Sequence, residues 1–391
     1  MIRAKTRSLL QKIHLYIGLC FGGVFMLLGL TGSAIAWLHE IDSLLNPDLF
    51  HVRSMSGVVA DNPVRVAPAK VQEVLDRLAA DPQYGRPVQL MLPEHADEVL
   101  VAWYPKESSD QDSPLAIRIS RQVMVNPYTL QVTGERDWGE LGLSRRLLMP
   151  TVFHLHRYLA AGEFGKTVVG VAGLVLLIAA ITGIVLWWPK PSRKALRQAL
   201  SISYRGSWPR LNYSSHRAAG FFAAPVFIVL GFSGWYFNLP KWVIPIVSSV
   251  ATVSAPDKPG NRAPSRGGTL VSPRQAMEAA QALFPHSRVS RIALPNKPSM
   301  PYEIRVRQPN EVRKGDGATR IMVDAYSGAI LQVRDPMRAP GGDTFLSWLF
   351  PLHSGEAFGS VGRIFITCFG VVPLLFLMTG LGIYLKRKKK V

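Results

Sequence analysis

The chain has 391 residues, of which 48% are hydrophobic, and its 45 basic and 26 acidic side chains give a formal net charge of +19. Two cysteines, Cys20 and Cys368, exclude a disulfide framework and any Cys-X-X-Cys haem or iron–sulfur motif. No Gly-X-Gly-X-X-Gly or P-loop pattern stands between a strand and a helix, so the sequence predicts no nucleotide-binding domain.

Four apolar stretches are each long enough to cross a hydrocarbon core of about 30 Å, which takes about 20 helical residues. They predict transmembrane helices over residues 13–38, 165–189, 218–238 and 359–385. The first stretch is longer than the roughly 7–15 apolar residues of a signal peptide, so we expect it to be retained. The sequence therefore predicts a polytopic membrane protein.

Basic residues concentrate in three segments that contain no Asp or Glu: residues 1–12, 190–217 and 386–391. The positive-inside rule places both termini and the middle loop in the cytoplasm. Most of the net charge is therefore a sign of topology rather than of nucleic-acid binding. Two long loops, residues 39–164 and 239–358, are then predicted outside the cytoplasm.

Both loops show the same order of local signals. In the second loop, Ser272-Pro273-Arg274-Gln275 has the N-cap, N1 and N3 residues that begin a helix, which is predicted through Phe284. Strands are predicted at 289–293, 302–307 and 319–323. The first loop has a predicted helix at 68–79 and predicted strands at 88–92, 99–104 and 116–125. Each loop therefore predicts a small α+β domain.

Histidines recur at matched places in the apolar stretches. His14 and His216 each lie 18 residues before a glycine, Gly32 and Gly234. His156 and His353 each lie 27 residues before Gly183 and Gly380. The sequence therefore predicts an α+β membrane protein whose four transmembrane helices arise from a duplicated two-helix unit.

This arrangement of helix, loop domain and helix, present twice, resembles the PepSY-associated transmembrane helix family over nearly the whole chain. The resemblance implies that residues 39–164 and 239–358 are PepSY-like α+β domains in the periplasm of a bacterial inner-membrane protein. It also implies a reductase that carries b-type haem and acts on a ferric siderophore.

The four matched histidines form two predicted pairs, one at each side of the membrane. Repeats with an even number of spans are parallel and related by an axis along the membrane normal, so equivalent positions can face each other. Two neutral imidazoles suit the axial positions of a haem iron. We therefore expect two haem b groups, one held by His14 and His216 and one by His156 and His353.

The residues around these pairs support or complicate that interpretation. A small residue stands four positions after each histidine and leaves space for a porphyrin edge; these are Gly18, Gly220, Ala160 and Ala357. The other candidates are His39 and His154, as alternative outer ligands, and Lys166, Arg363 and Arg217, as partners for haem propionates or as cations that reach the interface. The remaining glycines of the spans are predicted helix-packing contacts.

The predicted function is a dihaem reductase that passes electrons through the bilayer to a ferric siderophore and releases ferrous iron. A separate donor, a quinol or a flavoprotein, is expected to supply the electrons, and no catalytic residue beyond the haem ligands is predicted. Two alternatives are a permease for a siderophore or metal, because duplicated membrane halves are common in transporters, and a non-enzymatic PepSY membrane anchor or regulator. Four spans with few charges offer little room for a permease path.

Overall fold

A computed structural model describes residues 3–52, 65–106, 112–255, 259–262 and 269–388. The first two residues of the predicted N-terminal segment and the last three of the basic tail lie outside the described residues. The chain divides into two compact units. We call them the helical unit, with Met1–Trp37, Val152–Ile246 and Leu352–Val391, and the sheet unit, with Leu38–Thr151 and Val247–Pro351.

The helices, in chain order, are α1 (Ala4–Ile35), α2 (Leu38–Leu45), α3 (Pro47–Phe50), α4 (Pro68–Ala79), α5 (Arg145–Tyr158), α6 (Gly162–Trp187), α7 (Arg193–Leu200), α8 (Trp208–Asn238), α9 (Pro240–Ser248), α10 (Pro273–Leu283), α11 (Gly341–Ser354), α12 (Gly359–Phe369) and α13 (Val372–Lys388). The strands are β1 (Gln89–Met91), β2 (Leu100–Pro105), β3 (Ser120–Val125), β4 (Val132–Trp138), β5 (Arg288–Ala293), β6 (Tyr302–Arg307), β7 (Thr319–Val323) and β8 (Ile330–Arg334).

Four helical stretches are long and apolar enough to cross a membrane: Ala4–Ile35, Gly162–Trp187, Trp208–Asn238 and Glu356–Lys386. Together with the sheet described below, they confirm the predicted α+β membrane fold. The fourth stretch is not one continuous helix, because it consists of a 3-10 turn, α12 and α13. The break comes at Gly370, where a Cβ atom would overlap the Ser33 hydroxyl and the Gly29 carbonyl of α1.

Glycines bring the helices of this unit into backbone contact. A Cβ on Gly173 of α6 would lie 2.8 Å from the carbonyl oxygen of Gly231 in α8, and a Cβ on Gly231 would lie 2.8 Å from the amide nitrogen of Leu177. Side chains larger than glycine would separate the two helices. The predicted packing role of the span glycines is confirmed at these positions, as small residues allow close approach of membrane helices.

The sheet unit contains one antiparallel sheet with the strand order β4-β3-β2-β1-β5-β6-β7-β8. We call β1 to β4 the first half-sheet and β5 to β8 the second half-sheet. They join where β1 pairs with β5, with Leu90 opposite Ile292. The sequence analysis treats the two loops as separate domains, whereas their strands share this sheet. An edge strand has unpaired N–H and C=O groups, and the pairing of β1 with β5 satisfies them.

One face of this sheet is covered by α4 and α10 and forms the hydrophobic core. Val71 and Met277 of the helices pack with Ile304 and Ile321 of the strands, and all four are fully buried. The predicted start of α10 is confirmed, because the Ser272 hydroxyl accepts a hydrogen bond from the Gln275 amide in a capping box. Since side chains alternate along a strand, the neighbours of the core residues point to the opposite face.

On that opposite face, a buried ion pair fixes the first half-sheet to α2. Arg136 of β4 donates two hydrogen bonds, of 2.9 and 2.7 Å, to the carboxylate of Asp42, and a third of 2.7 Å to Gln122. The side chains of Arg136 and Asp42 are 3% and 7% exposed. A charge buried to this extent needs a partner, and this bidentate geometry provides one.

Candidate functional site

The helical unit brings the matched histidines together in two pairs. His14 of α1 faces His216 of α8, with 6.5 Å between ring centroids and 88° between ring planes. His156 of α5 faces His353 of α11, with 6.3 Å and 72°. Two imidazoles that bind one metal from opposite sides have ring centres about 6 Å apart, given metal–nitrogen bonds of about 2 Å. The spacing in both pairs fits a group bound between the rings.

Every histidine of the two pairs has its Nδ1 atom against a hydroxyl group on a neighbouring helix. His14 Nδ1 lies 3.1 Å from Thr182 Oγ1 of α6, and His216 Nδ1 lies 2.8 Å from Thr379 Oγ1 of α13. In the second pair, the contacts are His156 with Thr31 of α1 at 3.3 Å and His353 with Ser233 of α8 at 2.6 Å.

These contacts determine which ring nitrogen carries the proton. The hydroxyl of Thr379 donates its only proton to the Leu375 carbonyl, at 2.7 Å, and therefore accepts from His216 Nδ1–H. The other three hydroxyls also donate to the carbonyl four residues earlier, at 2.6 to 2.8 Å. His156 Nδ1 lies 3.0 Å from the Leu28 carbonyl, which can only accept. In a neutral imidazole with this tautomer, Nε2 keeps a lone pair for a metal.

The glycine after the hydroxyl residue makes room for two of the rings. A Cβ on Gly32 would lie 2.9 Å from His156 Cε1, and a Cβ on Gly183 would lie 3.3 Å from His14 Cε1. The first distance is too short for any side chain, and the second leaves little room for one. The sequence analysis assigns these glycines to helix packing alone, whereas in the structure they also contact the imidazoles.

We call His14 with His216 the inner pair and His156 with His353 the outer pair, after their predicted sides of the membrane. The inner pair adjoins open space at the surface of the helical unit, where Gly18 is exposed. Gly18 and Gly220 lie one turn after His14 and His216, and a Cβ built on either has nothing within 4 Å. Residues four apart share a helix face, so this space adjoins the rings. Among the described residues, no group of three or more His, Cys, Asp or Glu is placed to hold a metal ion. A porphyrin supplies four ligands itself and needs only an imidazole pair.

The family of the protein follows from a match over almost its full length. The family model described as the PepSY-associated TM region matches residues 11–387. The chain belongs to this family. No curated protein matches the sequence. Membership in the PepSY-associated family agrees with the apolar helices and with the resemblance noted from the repeated arrangement of helix and loop domain.

The small residues predicted beside the outer pair, Ala160 and Ala357, are not in the same helices as His156 and His353. Helix α5 ends at Tyr158, and Leu159 and Ala160 have positive φ angles of 47° and 53°. Helix α11 ends at Ser354, before Ala357. The relation of four residues on one helix face therefore does not apply to Ala160 and Ala357. The argument from a small neighbouring residue holds for the inner pair only.

The two alternative outer ligands have other surroundings. His39 belongs to the sheet unit, where its Nε2 lies 2.9 Å from the Glu98 carboxylate. His154 is 5% exposed and stacks on Tyr158, with 5.6 Å between centroids and 25° between planes. Their roles as alternative outer ligands stay predictions.

The three predicted propionate partners contact protein groups in this structure. Lys166 forms an ion pair with Glu163 at 2.8 Å, one turn earlier on α6. Arg363 donates two hydrogen bonds to the Ala36 carbonyl, at 3.0 and 2.6 Å, and lies over the Trp37 ring at 4.0 Å. Arg217 donates to the carbonyl of Gln198. Their role as propionate partners stays a prediction.

The four hydroxyl residues were not predicted as partners of the histidines, although the repeat contained the signal. Thr31 and Ser233 precede the matched glycines Gly32 and Gly234, and Thr182 and Thr379 precede the other pair. The available signal was a hydroxyl at all four repeat-related positions, although Ser and Thr are also common where membrane helices pack. The partners are on other helices, and only the tertiary structure identifies them.

The pair of His39 and Glu98 gives a prediction on pH dependence. The hydrogen bond that His39 donates to the Glu98 carboxylate raises the pKa of His39 above its ordinary value of 6.5. Burial acts to raise the pKa of Glu98, but hydrogen bonds from His39 and from backbone amides outweigh burial and lower that pKa to about 2. A raised histidine pKa stabilises the fold below about pH 6.5, and a lowered glutamate pKa stabilises it above about pH 4.5. The pair therefore stabilises most between these values.

We expect His39→Gln to lower the thermal midpoint of the full chain most near pH 5.5, and progressively less as the pH rises through the folded-state pKa of His39. Differential scanning fluorimetry of the detergent-solubilised protein from pH 4 to 9 measures this. His51→Gln is the matched control, because both histidines are exposed but the partner of His51, Asp97, is 54% exposed, whereas Glu98 is 9% exposed, and ion pairs between exposed groups contribute little. A pH-independent difference for His39→Gln would contradict the assignment.

Proposed function

We propose that this protein is a dihaem transmembrane reductase that moves electrons from the cytoplasmic or membrane side to a ferric siderophore in the periplasm and releases ferrous iron. Support comes chiefly from the two facing imidazole pairs, in which Nδ1 is engaged by a hydroxyl and Nε2 keeps its lone pair. A haem supplies one-electron chemistry at its iron when two such imidazoles bind it. His14 and His216 would hold one haem b, and His156 and His353 the other.

The positions of the pairs suit a route across the bilayer. On α1, His14 of one pair and Thr31, which contacts the other pair, are 17 residues apart. On α8, His216 and Ser233 are also 17 residues apart. This spacing corresponds to about 25 Å along a helix, close to the thickness of a hydrocarbon core. Each helix thus serves both sites.

The remaining partners of the reaction lie outside the chain. The proposal requires a separate electron donor, a quinol or a flavoprotein, because the sequence has no nucleotide-binding motif. It also places the sheet unit on the periplasmic side, where the siderophore is. The four apolar helices and the basic segments at their ends support the proposed location in the inner membrane.

The test is whether the reduced protein gives its electrons to a ferric siderophore. The purified full chain is reduced with dithionite without oxygen, the excess reductant is removed, and ferric citrate is added as the iron(III) chelate. We expect the reduced absorption bands to disappear and a ferrous chelator to trap iron(II). His156→Ala combined with His353→Ala should abolish the trapping, because both side chains of the outer pair are gone.

His39→Gln serves as the matched control, since His39 is hydrogen-bonded to Glu98 in the sheet unit. This variant should leave iron release unchanged. Equal iron release by the outer-pair variant would contradict the proposal. Uptake of the intact chelate into liposomes without any reductant, and no oxidation of the protein, would instead favour the permease.

The hydroxyl contacts make a second prediction, in which Thr379 positions His216. Thr379→Val keeps the shape of the side chain but removes the acceptor for Nδ1–H. A hydrogen bond from Nδ1–H makes the imidazole a stronger electron donor to a metal. Its loss should raise the reduction potential of the inner site by tens of millivolts, on the order of the 0.5–1.5 kcal/mol of one hydrogen bond.

Spectroelectrochemical titration of the full chain measures this potential. Thr379→Ser restores the hydroxyl and should restore the potential, which a purely structural effect of the substitution would not explain. Thr167→Val is the control, as the same substitution in another apolar helix. In the described part of the chain, Thr167 donates to the Glu163 carbonyl of its own helix. Equal potentials in Thr379→Val and the unaltered chain would contradict the positioning role.

A further inference from the structure

Four arginines stand in one row across the second half-sheet. Arg291 of β5 is opposite Arg305 of β6, Arg305 is opposite Arg320 of β7, and Arg320 is opposite Arg334 of β8. Residues directly opposite each other point to the same face, with Cβ atoms about 5 Å apart. Like charges in such positions destabilise a sheet. We call these residues the arginine row.

The row lies on the face opposite the hydrophobic core. Ile304 and Ile321, the neighbours of Arg305 and Arg320 along their strands, belong to the core under α4 and α10. The segment that links β6 to β7 approaches the arginine face, because the Ser290 hydroxyl donates to the Asp316 carbonyl at 2.5 Å and Arg288 donates to the Gly315 carbonyl at 3.2 Å.

Among the described residues, two arginines of the row share a single carboxylate. Asp316 forms ion pairs with both Arg291 and Arg305, the latter at 3.6 Å. Arg313 of the linking segment adds a further cation beside Arg305. Glu303 lies two residues before Arg305 and shares its face. Arg307, two residues after Arg305 on β6, is opposite Arg288 of β5, and these two arginines share one carboxylate, that of Glu94.

The guanidinium of Arg305 is the centre of this imbalance. Arg305 is 9% exposed, and the Nε atoms of Arg305, Arg291 and Arg288 have no hydrogen-bond partner in the described part of the chain. Burial, followed by the charges of Arg320 and Arg291, lowers the pKa of Arg305 to about 10. Buried arginines are normally held by several acceptors. The side chains of Arg291 and Asp316 are each 26% exposed, so solvent reaches one end of the row.

The first half-sheet shows that the fold does not require such a row. The corresponding residues, each opposite the next, are Gln89, Trp103, Gln122 and Arg136. They include one cation, and Asp42 neutralises it with two hydrogen bonds. The same strand arrangement thus exists with one compensated arginine. The excess of arginine in the second half-sheet therefore points to a ligand.

We propose that the arginine row is a binding site for an anionic ligand that carries several carboxylate groups. Guanidinium groups bind carboxylates through two parallel N–H bonds, and arginines in a row can bind several carboxylates of one molecule at once. If the proposed reductase function is correct, on which this step rests, the substrate is an iron(III) chelate whose ligands include carboxylates. A free polycarboxylate and its metal chelate share this chemistry.

The test is calorimetric titration of the full chain, in nanodiscs of zwitterionic lipid, with citrate and with gallium(III) citrate. Gallium(III) is not reduced, so binding is measured apart from electron transfer. We expect Arg305→Gln combined with Arg320→Gln to weaken binding of the gallium complex at least tenfold. Arg305→Lys combined with Arg320→Lys keeps the charge but loses the paired N–H bonds, and should also weaken it, to a smaller extent.

Arg274→Gln is the matched control for charge, because Arg274 pairs with Glu278 on the exposed surface of α10 and should leave binding unchanged. Equal binding by the Arg305 and Arg320 double variant and by Arg274→Gln would overturn the site. Tighter binding of the gallium complex than of citrate supports a chelate as ligand, whereas equal displacement of the complex by inorganic phosphate would overturn the carboxylate assignment. If the protein binds the gallium complex but does not reduce ferric citrate, the proposed reductase function is rejected and the binding site at the arginine row is retained.

Discussion

The hydrogen bond from an imidazole Nδ1–H to a hydroxyl on a neighbouring helix is the interaction on which the functional interpretation depends. Without a partner, a histidine in an apolar helix bundle could rotate, and either nitrogen could carry the proton. The hydroxyl is itself fixed by its bond to a carbonyl of its own helix, as in Thr182 with Ile178. Each ring is therefore held by a rigid acceptor, which is the way in which proteins orient metal-binding histidines.

Because of this interaction, α1 and α8 each contribute to both histidine pairs. Helix α1 contributes a histidine to one pair and a hydroxyl to the other, and α8 does the same. A shift of α1 along its axis would disturb both His14 and the partner of His156. The close contact of Gly370 with Gly29 restricts such a shift of α1, and that of Gly173 with Gly231 restricts α8 against α6, because backbones packed at this distance have little freedom to slide.

Periodicity and local signals predicted much of the fold. The apolar stretches indicated the four long helices, and Ser272 with Gln275 indicated the start of α10. The predicted strands 302–307 and 319–323 coincide with β6 and β7. The short helices α5 and α11 and the outer strands β4 and β8 were missed. Their sequences mix polar and apolar residues without a clear period, and Pro150 and Pro351 within the two helices argue against a helix.

The features that depend on tertiary contacts could not be predicted. The four histidines were found from the repeat, but the hydroxyl partners are on other helices, and Thr31 has no sequence relation to His156 that would mark the contact. The pairing of β1 with β5 could not be predicted from the sequence either, because β1 has only three residues. The arginine row requires the strand register, since Arg291 and Arg305 are distant from Arg334 in the sequence.

The central claim is that each imidazole pair holds one haem. The most direct measurement is the haem content of the purified full chain by the pyridine haemochrome assay, for the unaltered protein and for two double variants. The account predicts two b-type haems per chain. It predicts one after His14→Ala with His216→Ala, and one after His156→Ala with His353→Ala. A chain that purifies without haem, or that keeps both haems when either pair is removed, would contradict it.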